Sequence, residues 1–200
     1  MIALLSRQQV FMRRHPAACR SLFATQSNVK YRLVRPDEAA SICDFGRIAM
    51  TKTFEHMYPK DDFELYTTEA YSSLQYSNWI KEKGYFVHAG YDGDSIVGYV
   101  LAGPCEFPID SIGAKGGQTS GQIHRIYVDE THFGQGIAGH LMKTALDWLR
   151  KEYSGSPIYL GAHPTNKRAL NFYSKCGFEV FSSYDYTMGT RTDRDLILRL

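Results

Sequence analysis

Residues 123–150 read IHRIYVDETHFGQGIAGHLMKTALDWLR, and three periodicities follow one another within them. Ile123–Val128 is β-branched and aromatic, which predicts a strand. Asp129–Ala138 is polar and punctuated by glycine, which predicts a turn. From Ile137 onward, Leu141, Ala145, Trp148 and Leu149 recur on one face of an amphipathic helix. A strand, a glycine turn and a helix in that order leave bare N–H groups at a helix N-terminus. There the unpaired amides and the positive end of the helix dipole point the same way, and phosphate binds. Gly134, Gly136 and Gly139 let the backbone come close to such an anion.

Two familiar phosphate loops do not fit the stretch. A P-loop needs Gly-Lys-Ser/Thr at the helix start, and none follows Gly136 or Gly139. GQGIAG at 134–139 has the letters of a dinucleotide-binding turn, but Asp129–Phe133 separates it from the strand, whereas Rossmann glycines follow their strand directly. The whole stretch resembles motif A of the GNAT superfamily, the acetyl-CoA-dependent N-acetyltransferases. That signature is a strand ending hydrophobic-Tyr-Val, a short turn, then Arg/Gln-x-x-Gly-x-Gly/Ala. Phe133-Gly134-Gln135-Gly136-Ile137-Ala138 follows it except at Phe133, which stands where Arg or Gln is usual. The substitution is expected to weaken one phosphate contact and to leave the amide cradle intact.

A second signature of that superfamily lies downstream, in Asn166-x-x-Ala169-x-x-Phe172-Tyr173-x-x-Cys176-Gly177-Phe178. Helical spacing puts Asn166, Ala169 and Tyr173 on one face. The resemblance implies that Asn166 hydrogen-bonds the pantetheine or phosphate arm of acetyl-CoA and that Tyr173 protonates the departing thiolate. Read alone, Tyr173 is an ordinary half-buried helix aromatic; with both signatures in order, it takes the catalytic role. Ile126, Tyr127 and Val128 are then expected along pantetheine. Phe133, Gly134, Gln135, Gly136, Ile137, Ala138 and Gly139 are expected around the pyrophosphate, with Asn166 and Ala169 completing the cofactor site. The implied fold is α/β, a mixed and mostly antiparallel sheet splayed between strands 4 and 5 and flanked by helices. It covers residues 30–200.

Acetyl transfer from a thioester to an amine needs no metal and no covalent enzyme intermediate. It needs a neutral amine in line with the thioester carbon, a destination for the amine's proton and a donor for the leaving sulfur. His124 is a candidate base on the strand face expected to hold Ile126 and Val128; a lone strand histidine is equally a hydrogen-bonded structural group. His163, beside Asn166, reads as structural.

The rest of the chain bounds the answer. Two hundred residues, 44% of them hydrophobic, suit one globular domain. Of the 23 Lys and Arg, five (Arg7, Arg13, Arg14, Arg20 and Lys30) fall in residues 1–30, which hold no acid. The remainder carries 18 bases against 21 acids, so it gives no electrostatic reason to expect nucleic acid. Residues 1–28, rich in Arg, Ser, Gln and Ala, have the composition of a mitochondrial transit peptide, the other reading being an extension without an address and a cytoplasmic protein. The apolar run Ile2–Leu5 is too short for a membrane span. Cys19, Cys43, Cys105 and Cys176 show no paired spacing, so neither a disulfide framework nor a zinc site is expected.

A first strand is predicted at Tyr31–Val34 and a helix from Pro36 to about Phe54. A second helix, capped at Asp61-Asp62, is predicted to run past Leu74 and Ile80 to Gly84. A hairpin follows around Asp92-Gly93, joining strands Tyr85–Ala89 and Ile96–Leu101. Pro104–Gly121 reads as a loop, Pro157–Leu160 as a strand and Thr165–Cys176 as a helix capped by Gly177. Phe178–Phe181 and Leu196–Leu200 complete the sheet.

The acceptor side is carried by Phe54, Glu55 and Tyr58. The stretch Thr53-Phe54-Glu55-x-x-Tyr58 with Asp61, Asp62, Glu64, Glu69 and Tyr71, and the tail Met188-Gly189-x-x-x-x-Asp193, resemble the bacterial spermidine/spermine N-acetyltransferases of the PaiA type. Acids and aromatics lining a cleft would suit a polyamine. The same acids can instead cap a helix and face water. The resemblance points to a polyamine or other small primary amine as acceptor, with a homodimer as one assembly open to the chain. The alternatives are a protein lysine or N-terminal acetyltransferase and a non-catalytic acetyl-CoA sensor.

Overall fold

The computed structural model describes residues 28–108, 112 and 120–200. Among these residues there are seven strands: β1 (Lys30–Leu33), β2 (Phe86–Asp92), β3 (Ser95–Pro104), β4 (Gly121–Val128), β5 (Ile158–Ala162), β6 (Glu179–Met188) and β7 (Arg191–Arg199). They form one sheet in the order β1-β2-β3-β4-β5-β7-β6. β4 and β5 are parallel and the other neighbours antiparallel. The β4–β5 pairing covers Gly121–Ile123 against Ile158–Leu160 and then stops, which is the splay expected between these strands. Beyond Ile123, β4 has an open edge on that side.

Five α-helices whose bounds fall among the described residues cover the sheet: α1 (Ala39–Phe54), α2 (Lys60–Ala70) and α3 (Ser73–Lys81), then α4 (Ile137–Glu152) and α5 (Lys167–Lys175). Ile137, Leu141, Met142, Ala145, Leu146 and Leu149 of α4 are buried against Val97, Val100 and Ile123 of the sheet. These are the apolar phase read from the sequence, and their burial from water drives the docking of this helix. Residues of α5 pack on the same cluster. The opposite face carries a second core, where Ile42, Cys43 and Met50 of α1, Phe63 of α2 and Tyr76 of α3 meet Val87, Tyr99 and Leu101.

An irregularity in β4 distributes its side chains between those two cores. Leu101 pairs with Arg125 and Ala102 with Ile123, so His124 is the extra residue of a β-bulge. Ile123, Ile126 and Val128 therefore join the α4 core, while Arg125 and Tyr127 turn to the α1–α3 side. The expectation that His124 shares a face with Ile126 and Val128 is corrected by this bulge.

Three element boundaries also differ from expectation. The helix predicted through residues 61–80 is two helices. Tyr71 leaves helical geometry, Ser72 caps α3 by accepting from the Gln75 N–H, and the buried Tyr71 is drawn inward, its carbonyl accepting from the Cys43 thiol at 2.7 Å. The predicted first turn at Pro36–Glu38 is a 3₁₀ turn that leads into α1. The final hairpin is far longer than its apolar ends. Between Ser182 and Asp195 polar residues alternate with Tyr184, Tyr186 and Met188, so no continuous apolar run marks the strands. Residues 1–27 of the segment expected to be a transit peptide lie outside the described residues, as does most of the Pro104–Gly121 loop.

Gly46 of α1 sits where a Cβ would lie 2.8 Å from Tyr76 Oη and closer still to Tyr99 Oη, two hydroxyls that hydrogen-bond each other at 2.6 Å. At an exposed helix position Gly→Ala gains about 1 kcal/mol. Here Gly46→Ala is expected to lose about 1–2 kcal/mol net, because overpacking a filled core outweighs helix propensity. Urea unfolding of the two proteins measures the sign.

Candidate active site

The N-terminus of α4 opens into a cavity of about 340 Å³. Phe133, Gly134, Gly136 and Ala138 wall one side, and Arg168, Ala169 and Tyr173 of α5 the other. Gly134 and Gly136 adopt φ of +79° and +80°, a left-handed geometry that L side chains resist. Gly136 is the N-cap of α4, and no side chain caps the helix, so its first-turn amides are available to a ligand. Asp129 supports the loop by accepting from the Thr131 N–H at 3.0 Å. Gln135 does not wall the cavity; its amide donates to Thr131 O at 3.3 Å, holding the turn. An uncapped helix start behind two left-handed glycines suits a pyrophosphate.

Phe133 contributes more than a missing cation. The Arg168 guanidinium lies over its ring at 3.8 Å from the centroid, in cation–π contact. A positive charge thus returns to the lip of the loop from α5. Asn166 caps α5, its side-chain oxygen accepting from the Ala169 N–H at 3.1 Å, which leaves its NH₂ to donate elsewhere.

A second cavity, of about 630 Å³, lies on the other side of the β4 edge. Ile126, Val128, Phe133, Arg168, Ala169 and Tyr173 border both cavities, so the two meet at Tyr173. Among the described residues the Tyr173 hydroxyl has no hydrogen-bond partner. Burial raises its pKa well above the usual phenol value, keeping the proton on it at neutral pH. Tyr127, expected among the cofactor residues, points its side chain into the larger cavity instead, where it bonds the Tyr71 hydroxyl at 2.9 Å and Met50 Sδ at 3.7 Å.

His124 borders the larger cavity and contacts Pro104 O through Nε2 at 3.0 Å. A carbonyl only accepts, so Nε2 carries the hydrogen and Nδ1 is the basic atom, 3.8 Å from a Glu106 carboxylate oxygen. Burial lowers the pKa of this imidazole more than Glu106 raises it, which favours the neutral form. His163 is buried beneath Phe54, with Nδ1 engaged by the Thr165 hydroxyl at 2.7 Å and by its N–H at 3.2 Å.

Of the expected acceptor residues, Phe54 and Tyr58 line this cavity, as does Tyr71. Glu55 does not; it is exposed in the 3₁₀ turn Glu55–Met57 that ends α1. Asp62 is taken by the Thr190 N–H and hydroxyl, and Glu64 pairs with Lys60, so those acids hold structure. Sequence reading missed Arg125, Arg168, Tyr66, Tyr184, Tyr186 and Asp195, all of which line the cavity. Asp195 carried a readable signal, since it falls two residues from the fully buried Ile197 on the same strand face.

The acetyltransferase (GNAT) family model matches residues 50–178. The spermine/spermidine N(1)-acetyltransferase of Bacillus subtilis (strain 168) is 29% identical over 108 residues, covering 53% of this chain and 68% of that protein. The crystal structure of the PaiA N-acetyltransferase from Thermoplasma acidophilum, in complex with coenzyme A, superposes with a TM-score of 0.66 at 17% identity, over 86% of this chain and 98% of that one. Arabidopsis thaliana NAA60 in complex with acetyl-CoA gives 0.64 at 17%, over the same shares. At these identities the two structures show a shared fold.

Gly136→Ala places a side chain at a φ of +80°, a conformation costing an L residue about 1–2 kcal/mol. Titration calorimetry with coenzyme A, the ligand of the Thermoplasma protein, is expected to show about tenfold weaker binding.

Proposed function

Because the chain belongs to the acetyltransferase (GNAT) family, we propose that it acetylates a small primary amine of the polyamine class. The class of reaction and its donor, acetyl-CoA, come with the family. The acceptor class rests on one observation: the cavity meeting the donor site at Tyr173 is walled by aromatic rings and holds the carboxylate of Asp195, while its cations Lys52, Arg125 and Arg168 are engaged by Glu130, by Ala70 and Tyr76, and by Phe133, a lining that favours a flexible organic cation. The identity with the Bacillus spermine/spermidine enzyme supports the same reading.

The donor supplies an activated acetyl thioester when bound. The amides of the α4 N-terminus hold its pyrophosphate, and Arg168 on Phe133 adds a positive charge at the rim. The unpaired edge of β4 beyond Ile123 offers backbone N–H groups toward the thioester carbonyl. Tyr173, still protonated at neutral pH, donates to the departing sulfur. His124, held neutral with Nε2 fixed on Pro104, takes the amine's proton through Nδ1, directly or through water.

Thiol release from acetyl-CoA, followed against a panel of amines, tests the reading. Spermidine-dependent turnover is expected, falling about a hundredfold or more in Tyr173→Phe with coenzyme A binding retained. If no small amine supports turnover while coenzyme A still binds, the acceptor is a protein or the chain is a sensor. The pH profile tests His124 separately. A depressed pKa leaves the base in its active form at neutral pH and above, with activity lost only as pH falls below the ordinary histidine range. That acid limb is expected in the wild type and absent from the residual activity of His124→Gln.

A further inference from the structure

Three acids line the larger cavity, and two already have partners. Asp129 accepts from the Thr131 N–H, and Glu130 accepts from Lys52 Nζ at 2.6 Å. Asp195 has neither an ion pair nor a hydrogen bond among the described residues, and its Oδ1 is shut off from water. The contrast with Asp193, two residues away on the same strand, is sharp. Arg191 grips both oxygens of Asp193 at 2.9–3.1 Å. Folded proteins rarely leave a half-buried carboxylate without a partner, and Asp195 borders the cavity, so a ligand entering there can supply one.

Its surroundings specify the ligand's chemistry. Tyr184 stands directly opposite Asp195 in the β6–β7 ladder. Tyr186 and Tyr66 meet edge to face at 6.1 Å, and Tyr58 completes the wall. Asp195 is near enough to Tyr58 and Tyr184 for its charge to act on both hydroxyls. Ring faces attract cations, and a lone carboxylate among them accepts an ammonium.

We propose that Asp195 selects the acceptor by binding a second, non-reacting ammonium of a polyamine among Tyr58, Tyr66, Tyr184 and Tyr186. The inference rests on the small-amine reading above and assigns one residue to it. The reacting nitrogen must be neutral to attack, and a carboxylate against it would hold the proton it has to lose. Against the distal ammonium the same carboxylate anchors the molecule without hindering chemistry. Tyr173 and Asp195 border one cavity, so a single extended diamine can present its amine to the first and its ammonium to the second.

The test compares α,ω-diamines and spermidine with monoamines of matching length, in the wild type and in Asp195→Asn. In the wild type, kcat/KM for the diamines is expected to exceed that for the monoamines by about thirtyfold or more. Asp195→Asn should remove that advantage, mostly through KM, with monoamine turnover and coenzyme A affinity within about threefold of wild type. Asp195→Glu should restore part of the preference. The Asn variant should also unfold at no lower urea concentration than the wild type, since Asp195 makes no hydrogen bond or ion pair among the described residues that the change would break. A wild type that turns over diamines no better than monoamines overturns the proposal, and needs no variant to fold. Equal losses on monoamines and diamines in Asp195→Asn also overturn it, leaving Asp195 a structural residue. A wild type that turns over no small amine at all removes the small-amine reading, and this assignment with it.

Discussion

β4 and β5 pair over three residues and then part, and most of what this protein can do depends on that separation. An unpaired strand edge inside a fold leaves backbone N–H and C=O groups that must find water or a ligand. Here the open edge lies between two cavities that meet at Tyr173. The bulge at His124 adds the second half of the design. Without the extra residue, strict alternation would put Ile123, Arg125 and Tyr127 on one face and push a guanidinium into the apolar α4 core. With it, Ile126 and Val128 present an apolar surface to the donor side while Arg125 and Tyr127 face the acceptor side.

Arg125 shows how that acceptor side is held. No carboxylate pairs with it among the described residues. Its guanidinium donates to Ala70 O at 2.8 Å and to Tyr76 Oη at 2.9 Å, and lies 4.4–5.3 Å from the ring centroids of Tyr71, Trp79 and Tyr76. Burial opposes its charge, and the surrounding tyrosine oxygens more than offset that cost. Because Ala70 is the last residue of α2, the cation also meets the negative end of that helix. The α2–α3 corner is thereby tied to β4, with Tyr71 turned inward between Cys43 and Tyr127. The break that a helical period could not foresee at Tyr71-Ser72 is produced by these long-range contacts.

The donor half of the site was legible because it is local. The glycine turn, the uncapped helix start and the Asn166–Tyr173 face each lie within one short segment, where spacing dictates geometry. Even so, Arg168 escaped a reading that treated Phe133 only as a lost cation, since the stacked pair comes from segments 35 residues apart. The acceptor half was only partly legible. Phe54 and Tyr58 line the larger cavity, whereas the 3₁₀ turn that ends α1 sets the direction of Glu55 and leaves it outside that lining. Tyr66, Tyr184, Tyr186 and Asp195 converge from α2, β6 and β7, and no spacing rule joins them. The polar alternation of the last hairpin also hid its length, and with it the strand on which Asp195 stands.

This division follows from what each half has to bind. A pyrophosphate is the same anion in every donor molecule, and backbone amides at a helix start recognise it almost without regard to side chains. A short motif therefore suffices. An acceptor amine is recognised by where its charges fall, so the protein must place single side chains at distances no local element can set. The cost shows at the carboxylates: Asp193 is neutralised by Arg191, whereas Asp195, the more deeply buried of the two, has no hydrogen bond or ion pair among the described residues. A fold selected for stability alone would have supplied a second arginine or an apolar residue there. Burial raises the pKa of the Asp195 carboxyl, which favours its protonated form, and an arriving ammonium favours its charge. The affinity such a site gains for a cation is therefore reduced by the free energy of ionising the acid, a trade that favours selectivity between acceptors over tight binding of any one of them.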